Sequence, residues 1–219
     1  MFSNYSFITE YWPLFMHGLV TTIELAVISI VLGLLLGIAL AVMKMSKANL
    51  LSLIAKTYIG FIRNTPLLVQ IYIVYIGLPQ LLGFSVNDFV TGIVALTLYS
   101  GAYIAEIIRS GIQSLPVGQT EAAESLGIPS YRILLNIILP QAFKNILPAL
   151  GNQLIGNVKD SSLVSVLGIT DIMFAAQTVR GSTALGLEPM IIASALYLVI
   201  CLILNQILAL FERRMRHDA

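Results

Sequence analysis

Residues 121–140, EAAESLGIPSYRILLNIILP, combine two carboxylates and a Gly-x-Pro break with a long apolar run. The chain around this stretch is 58% hydrophobic and only 11% charged, whereas a soluble domain has about 25% charged residues. Each carboxylate at the centre of a membrane helix costs about 2.5–3.5 kcal/mol. Glu121 and Glu124 have no cation between them. We therefore predict that residues 121–128 lie outside the bilayer in a membrane protein.

Five segments of the sequence are apolar and long enough to cross a membrane as helices. A bilayer core of about 30 Å requires about 20 residues of helix. The segments are residues 14–43, 57–82, 89–112, 133–157 and 190–211. We therefore predict an all-α membrane protein with five transmembrane helices, formed by residues 1–219 as a single domain. The start of the chain lacks the basic segment of a cleavable signal, so we expect the first span to remain in the mature protein.

The distribution of Lys and Arg between the loops predicts the orientation of these spans. Positively charged residues stay mainly on the cytoplasmic side of a membrane. Residues 44–56 and the C-terminal tail each carry three such residues, and two more flank the loop at 113–132. The long loop at 159–188, on the other side, carries only two. An N-out, C-in topology follows, and it places residues 113–132 in the cytosol.

Residues within the 113–132 loop predict a helix of about two turns. Thr120 suits its N-cap, and Glu121 suits its first turn, where a negative charge complements the helix dipole. Gly127 suits the left-handed position after the helix, and Pro129 prevents continuation. By composition alone, a solvated connector explains this segment more readily than a docking element does.

The spacing of the same segment favours docking. The signature EAA-x3-G-x9-I-x-L-P is reproduced in full, by Glu121, Ala122, Ala123, Gly127, Ile137, Leu139 and Pro140. In this feature the chain resembles the permease subunits of binding-protein-dependent ABC importers. Residues 63–70 (RNTPLLVQ), 102–119 and 159–168 are similar to the corresponding runs of the polar amino acid permeases. The resemblance therefore covers nearly the whole chain.

The resemblance implies a short cytoplasmic coupling helix that docks into a separate ATPase. The ATPase-coupling residues would be Glu121, Ala122, Ala123 and Gly127. The sequence contains no GxxxxGK[ST] phosphate loop. We therefore expect that the chain is not an enzyme and holds no cofactor, and that ATP and Mg²⁺ bind to the ATPase subunit.

The resemblance also implies further partners in a bacterial cytoplasmic (inner) membrane. A second permease subunit, identical or homologous, would complete the solute path, and an extracytoplasmic solute-binding protein would deliver the amino acid. Gly33 and Gly37 form a GxxxG, which suits close helix packing within the chain or between subunits. The net charge of +1 disfavours nucleic acid as a partner. Cys201 is the single cysteine and the two histidines are isolated, so we expect no metal site.

Polar residues inside or beside the spans are the substrate-binding candidates, because such residues are costly in lipid. Asn64 and Thr65 precede Pro66, which removes a helical hydrogen bond and can break the second span. Asp160, Ser161 and Ser162 follow the fourth predicted span, and Glu24 lies in the outer half of the first. Asp160 is best placed for an ammonium group, so the substrate would be a polar or cationic amino acid. Ser161 and Ser162 would alternatively only cap the apolar run that follows them.

Charged residues of the chain support three further interpretations. Glu24 and Asp160 would be ion sites if the chain were instead a self-contained secondary transporter or channel. Glu106 and Arg109 are three residues apart and predict a structural ion pair. The 159–188 loop predicts two short helices, at 163–169 and 171–179, on the outer face. Their surface would receive the solute-binding protein through Asp171, Arg180 and Glu188.

Overall fold

The computed structural model describes residues 6–183 and 185–217, and every element in this part of the chain is helical. The helices are α1 (Ser6–Met45), α2 (Asn49–Arg63), α3 (Leu67–Leu82), α4 (Asp88–Gln113), α5 (Val117–Ser125), α6 (Ser130–Ile133), α7 (Leu139–Asp160), α8 (Ile172–Thr183) and α9 (Glu188–His217). A π-helical segment, Leu134–Ile138, joins α6 to α7, and a 3-10 segment, Ser161–Leu167, follows α7. The all-α prediction is confirmed.

Within the described residues, four helical stretches are long and apolar enough to cross a membrane. They are Ile8–Met45, Asp88–Gln113, Ser130–Leu167 and Glu188–Arg214. The number rises to five if α2 and α3 together count as one broken span. The axes of these two helices differ by 114°. The second predicted span, 57–82, is therefore not one continuous helix, and the fourth extends beyond 133–157 at both ends. The break before Pro66 has the cause that the sequence indicates, because proline disfavours helical geometry in the residue before it.

The centre of the fold is the seam between α1 and α4. A β-carbon added to Gly33 would lie 2.5 Å from Ser100 Oγ, and one added to Gly37 would lie 2.6 Å from Ile104 Cγ2. The two glycines therefore serve packing within the chain. α7 joins the seam through Asn157, which is fully buried and donates from Nδ2 to Ser29 Oγ at 2.7 Å.

The loop between α4 and α7 contains the predicted two-turn helix, with a different start. α5 begins at Val117, and Pro116 occupies its N-cap position, so the prediction that Thr120 caps the helix is wrong. Its end has the predicted form: Gly127 has φ of 72°, its N–H donates to the Glu124 carbonyl, and the Ile128 N–H donates to the Ala123 carbonyl. This pair of bonds is a Schellman motif, which satisfies the last helical carbonyl groups.

The 159–188 region forms two short helical elements, as its length predicts. The 3-10 segment ends at Gly168, which has φ of 81°, and α8 follows after Asp171. Asp171 is fully buried and accepts hydrogen bonds from the Phe174 N–H at 2.7 Å and the Tyr197 hydroxyl at 3.2 Å. The expectation that Asp171 contacts a partner protein is therefore wrong, because the side chain is used inside the fold.

Gly37 provides a test of the α1–α4 seam. Gly37→Ala should destabilise the protein by about 1–3 kcal/mol, because the added methyl group overpacks a close helix contact. Gly77→Ala is the matched control, since a β-carbon there has no neighbour within 4 Å. Thermal unfolding of both variants in detergent measures the difference. Equal stability of the two variants would contradict the proposed tight seam.

Burial raises the pKa of the Asp171 carboxyl from its ordinary value of 3.8 to about 6. The folded protein therefore holds this proton more tightly than the unfolded chain does, and the associated stability is lost as the pH rises from about 4 to 6. We expect Asp171→Asn to flatten the dependence of melting temperature on pH in that window. An unchanged slope in the variant would show that other groups cause the dependence.

Candidate functional site

Two irregular points of the backbone lie against each other in the structure. The first is the break between α2 and α3, which contains Asn64 and Thr65, and the second is the transition from α7 into the 3-10 segment. Val164 and Leu167 of the 3-10 segment belong to the same buried cluster as Leu67 and Ile71 in the first turns of α3. The segments that follow the two groups of substrate candidates, about 100 residues apart in the sequence, therefore pack against each other.

Two tyrosines of α4 connect these points. The rings of Tyr99 and Tyr103 have centroids 4.7 Å apart. The Tyr99 side chain lies next to Asp160, and the guanidinium of Arg63 lies 5.6 Å from the centre of the Tyr103 ring. The Tyr99–Tyr103 pair therefore lies between Asp160 and Arg63. Neither tyrosine was predicted as a site residue. Their i, i+4 spacing, which places both on one face of α4, is a usable signal.

Gln70 is the residue that satisfies the backbone at the first break. Its Nε2 donates to the Ile62 carbonyl at 2.7 Å, the Thr65 carbonyl at 3.1 Å and Thr65 Oγ1 at 2.8 Å. Gln70 is only 4% exposed, and its Oε1 atom has no hydrogen-bond partner among the described residues. Asn64 is exposed and Thr65 half-buried, and both donate to carbonyl groups one turn earlier in α2. The last carbonyl groups of α2 are thus hydrogen-bonded to side chains at the break, and Asn64 itself is exposed.

The residues at the second break differ in exposure. Ser161 is fully buried and donates to the Val158 carbonyl at 2.8 Å. Ser162 is half-buried and donates to the Lys159 carbonyl at 2.7 Å. Both hydroxyl groups thus donate to carbonyls in the last turn of α7, and the start of the apolar run that follows has no side-chain cap. Asp160 is half-buried, and its carboxyl group lies next to Tyr99.

Glu24 lies apart from both breaks. It is exposed on a face of α1 whose neighbours Val20, Ile23 and Val27 are also exposed. Its carboxylate has no ion pair or hydrogen bond to the residues that the structure describes. An exposed carboxylate within an apolar helix face is costly in lipid, so this face requires either a polar cavity or another protein surface.

The predicted Glu106–Arg109 ion pair is present and belongs to a larger cluster. Glu106 Oε2 lies 2.5 Å from Lys44 Nζ at the end of α1, and Glu106 Oε1 lies 4.0 Å from Arg63 Nη1 at the end of α2. Arg109 also donates to Gln113 one turn further along α4. One carboxylate therefore joins the ends of α1 and α2 to α4.

The coupling residues divide into two groups on α5. Glu121, Ala122 and Gly127 are exposed, as docking requires. Ala123 is only 5% exposed and packs against Ile133 and Ile138, so this alanine does not offer its side chain to a partner. The 3.6-residue helical period places Ala122 and Ala123 on different faces, which explains the division.

Side-chain amides connect α5 to α7. Gln119 and Gln141 form a reciprocal pair, with distances of 3.1 Å and 2.8 Å between the amide groups. Gln141 Nε2 also donates to the Ile137 carbonyl within the π-helical segment. Asn145 Nδ2 donates to Ser114 Oγ at 3.1 Å, one turn further along α7. These hydrogen bonds hold α5 against the start of α7.

The fold and these contacts define a multi-pass membrane protein of the permease class, with a surface helix tied to its spans. Residues 29–217 match the family described as the binding-protein-dependent transport system inner membrane component, and the chain belongs to this family. Members are permease subunits of ABC importers and are not themselves the ATPase. The assignment implies an ATPase partner and a partner permease.

Relatives and a solved structure agree with this assignment. The chain is 45% identical to the arginine transport system permease protein ArtQ of Bacillus subtilis (strain 168), over 94% of each chain. It is 39% identical to the putative glutamine transport system permease protein GlnP of Rickettsia prowazekii (strain Madrid E), over 95% of this chain and 97% of that one. A crystal structure of an amino acid ABC transporter with histidines matches with a TM-score of 0.92 and 43% identity, covering 98% of this chain and all of that one. These findings favour the importer permease over a self-contained transporter or channel.

Gln70 offers a direct test of the first break. Gln70→Leu should destabilise the protein by about 1–3 kcal/mol, because it leaves buried carbonyl groups of Ile62 and Thr65 without a donor. Gln80→Leu is the matched control, since Gln80 is exposed on the same helix. The melting temperatures of the two purified variants give the comparison. A Gln70→Leu variant as stable as the control would remove the role assigned to this amide.

Proposed function

We propose that this chain is the transmembrane permease subunit of an ATP-driven importer of a polar or cationic amino acid. The observation that carries the proposal is the meeting of the two backbone breaks at the Tyr99–Asp160 contact. Irregular backbone at membrane depth is tolerated where it lines a cavity or is buried in protein, and transporter sites use such breaks. The arginine and glutamine permeases among the relatives support the substrate class.

The substrate residues are proposed from this geometry. Asp160 receives the ammonium group of the amino acid, while Asn64 and Thr65 present amide and hydroxyl groups from the opposite break. Ser162 lies beside Asp160 and completes the polar surface. Ser161 is fully buried, so its part is to hold the end of α7 through the Val158 carbonyl.

Glu24 is proposed to face the solute path where two permease subunits meet. Support comes from its exposure on an apolar face of α1 without a partner among the described residues. A second copy or a close homologue of the chain would cover that face and leave the carboxylate toward the path. There it would attract a cationic or polar substrate.

The coupling helix is proposed to be α5, docked through Glu121, Ala122 and Gly127 into the cytoplasmic ATPase. Their exposure and the amide pair between Gln119 and Gln141 support this role. ATP and Mg²⁺ act on the ATPase subunit, and the permease itself supplies no catalytic group and no cofactor site. Closure of the ATPase would move α5 and, through the amide pair, α7 and Asp160 at its other end.

The orientation is proposed as N-out and C-in, in the bacterial inner membrane. The Lys and Arg distribution supports it, because it leaves the cytoplasmic loops rich in positive charge. A solute-binding protein would then dock on the outer face near α8. Arg180 is exposed there and Glu188 is half-buried, so these two residues remain available for contact.

Asp160→Asn tests the substrate site in the assembled transporter. Removing the charge should raise the substrate concentration for half-maximal stimulation of ATP hydrolysis about 10- to 100-fold, which is the effect of losing one charged hydrogen bond. Basal hydrolysis should be unchanged. Asp88→Asn is the control, because Asp88 is exposed at the start of α4. The assay uses liposomes and a panel of arginine, lysine, histidine and glutamine. Equal loss of basal and stimulated hydrolysis would give Asp160 a structural role instead.

Gly127→Ala and Glu121→Gln test coupling. The alanine must adopt the φ of 72° at position 127, which costs about 1–2 kcal/mol, and should therefore weaken association with the ATPase. Gly118→Ala is the matched control on the same helix, since its φ is ordinary and a β-carbon there has no neighbour within 4 Å. Co-purification of the ATPase measures association. Full assembly and transport by both test variants would exclude the coupling role.

A further inference from the structure

A polar cavity of about 300 Å³ lies beside the last turns of α2, on the Tyr103 side of the Tyr99–Tyr103 pair. Its lining is Lys44, Lys56, Ile59, Gly60, Arg63, Asn64 and Tyr103. The lining residues of α2 recur at intervals of three and four, so they form one face of this helix. The cavity has the size of a small ligand site, for which volumes begin at about 300 Å³.

The charge around this cavity is unbalanced. Lys44, Lys56 and Arg63 line it, and Arg109 adjoins it through Glu106, which is the one carboxylate found with these four cations in the described residues. Four positive groups against one negative group leave an excess of three. Lys44 and Arg109 take the close contacts to Glu106, whereas Arg63 is 4.0 Å away with a side chain 42% exposed.

Lys56 is the one of these four cations that does not contact Glu106. It is exposed, and its side chain has no ion pair or hydrogen bond to the described residues. Arg63 is only partly satisfied, by the Tyr103 ring and by the distant oxygen of Glu106. Two cations that lie two turns apart on one face of α2 therefore point to an anion that the described residues do not supply.

The surroundings indicate the kind of anion. The adjoining surface of α2 exposes Leu50, Leu53, Ile54 and Phe61, which is an apolar surface suited to acyl chains. Glu106 lies seven residues before the end of α4, so the cavity is about 10 Å from that end. The cavity therefore lies toward the end of α4 that is proposed to be cytoplasmic, and the lipid headgroups border the membrane core on that side. Basic pockets between membrane helices suit anionic headgroups.

We infer that the basic cavity beside α2 binds the phosphodiester group of an anionic phospholipid, with Lys56 and Arg63 as its principal contacts. The acyl chains then lie along the apolar surface of α2. The lipid would hold the end of α2 next to the break at residues 64–66, and hence next to Asn64, which lines the same cavity. The site agrees with the proposed orientation and shares Asn64 with the proposed substrate surface, whereas its principal contacts, Lys56 and Arg63, are not proposed substrate or coupling residues.

The test is lipid binding by the purified chain in neutral detergent. Short-chain phosphatidylglycerol, phosphatidylcholine of equal chain length and inorganic phosphate are titrated separately, with melting temperature and retained lipid by native mass spectrometry as readouts. Phosphatidylglycerol should raise the melting temperature and remain bound, and Lys56→Gln should increase its half-maximal concentration about fivefold, the effect of one lysine near an anionic surface. Lys47→Gln, an equal charge change at an exposed lysine outside the cavity, should leave that concentration unchanged.

Three results would overturn this inference. An equal response to phosphatidylcholine would show no headgroup preference. An equal response to inorganic phosphate would assign the cavity to a soluble anion. Equal losses in Lys56→Gln and Lys47→Gln would show general surface attraction. The measurement needs no ATPase and no transport, so its failure is separable from failure of the proposed function.

Discussion

Satisfying backbone hydrogen bonds at the two helix breaks is the constraint on which the rest of the structure depends. A membrane offers no water to an unpaired carbonyl, so a break inside a span persists only where the chain supplies its own partners. Gln70 does this for Ile62 and Thr65, and Ser161 does it for Val158. Irregular backbone can therefore be held near the centre of an apolar protein, where polar side chains can serve a solute.

The α1–α4 seam provides the rigid frame for these breaks. Gly33 and Gly37 allow α4 to approach closely, and Asn157 joins α7 to the same seam through Ser29. Tyr99 and Asp160 meet because α4 and α7 are fixed in this way. The amide pair of Gln119 and Gln141 holds α5 to the other end of α7. A single helix thus runs from the proposed docking surface to the proposed substrate site.

Features set by local backbone chemistry were predictable from the sequence. Gly127 has the left-handed geometry that a glycine after a helix indicates, and Pro66 interrupts the second span. The Glu106–Arg109 pair follows from spacing on one helix. The family assignment was also predictable, because the EAA spacing is long and specific.

Features set by contacts between distant segments were not predictable in the same way. Sequence alone does not show that Ala123 faces Ile133, that Asp171 is enclosed by α8 and α9, or that Tyr99 meets Asp160. Thr120 was a plausible cap by residue type, yet Pro116 starts the helix a turn earlier because proline suits a helix beginning. The positions of Ala123, Asp171 and Tyr99 reflect tertiary packing, whereas the start of α5 reflects local geometry at Pro116.

We propose that this chain moves an amino acid only when a partner ATPase drives it. The most direct measurement is uptake of labelled arginine and glutamine into proteoliposomes that contain the solute-binding protein and the permease. Each is measured with an active ATPase subunit, with a hydrolysis-deficient one, and without any. We expect uptake only with the active ATPase and ATP. Uptake that persists without the ATPase, in an ion gradient alone, would contradict it.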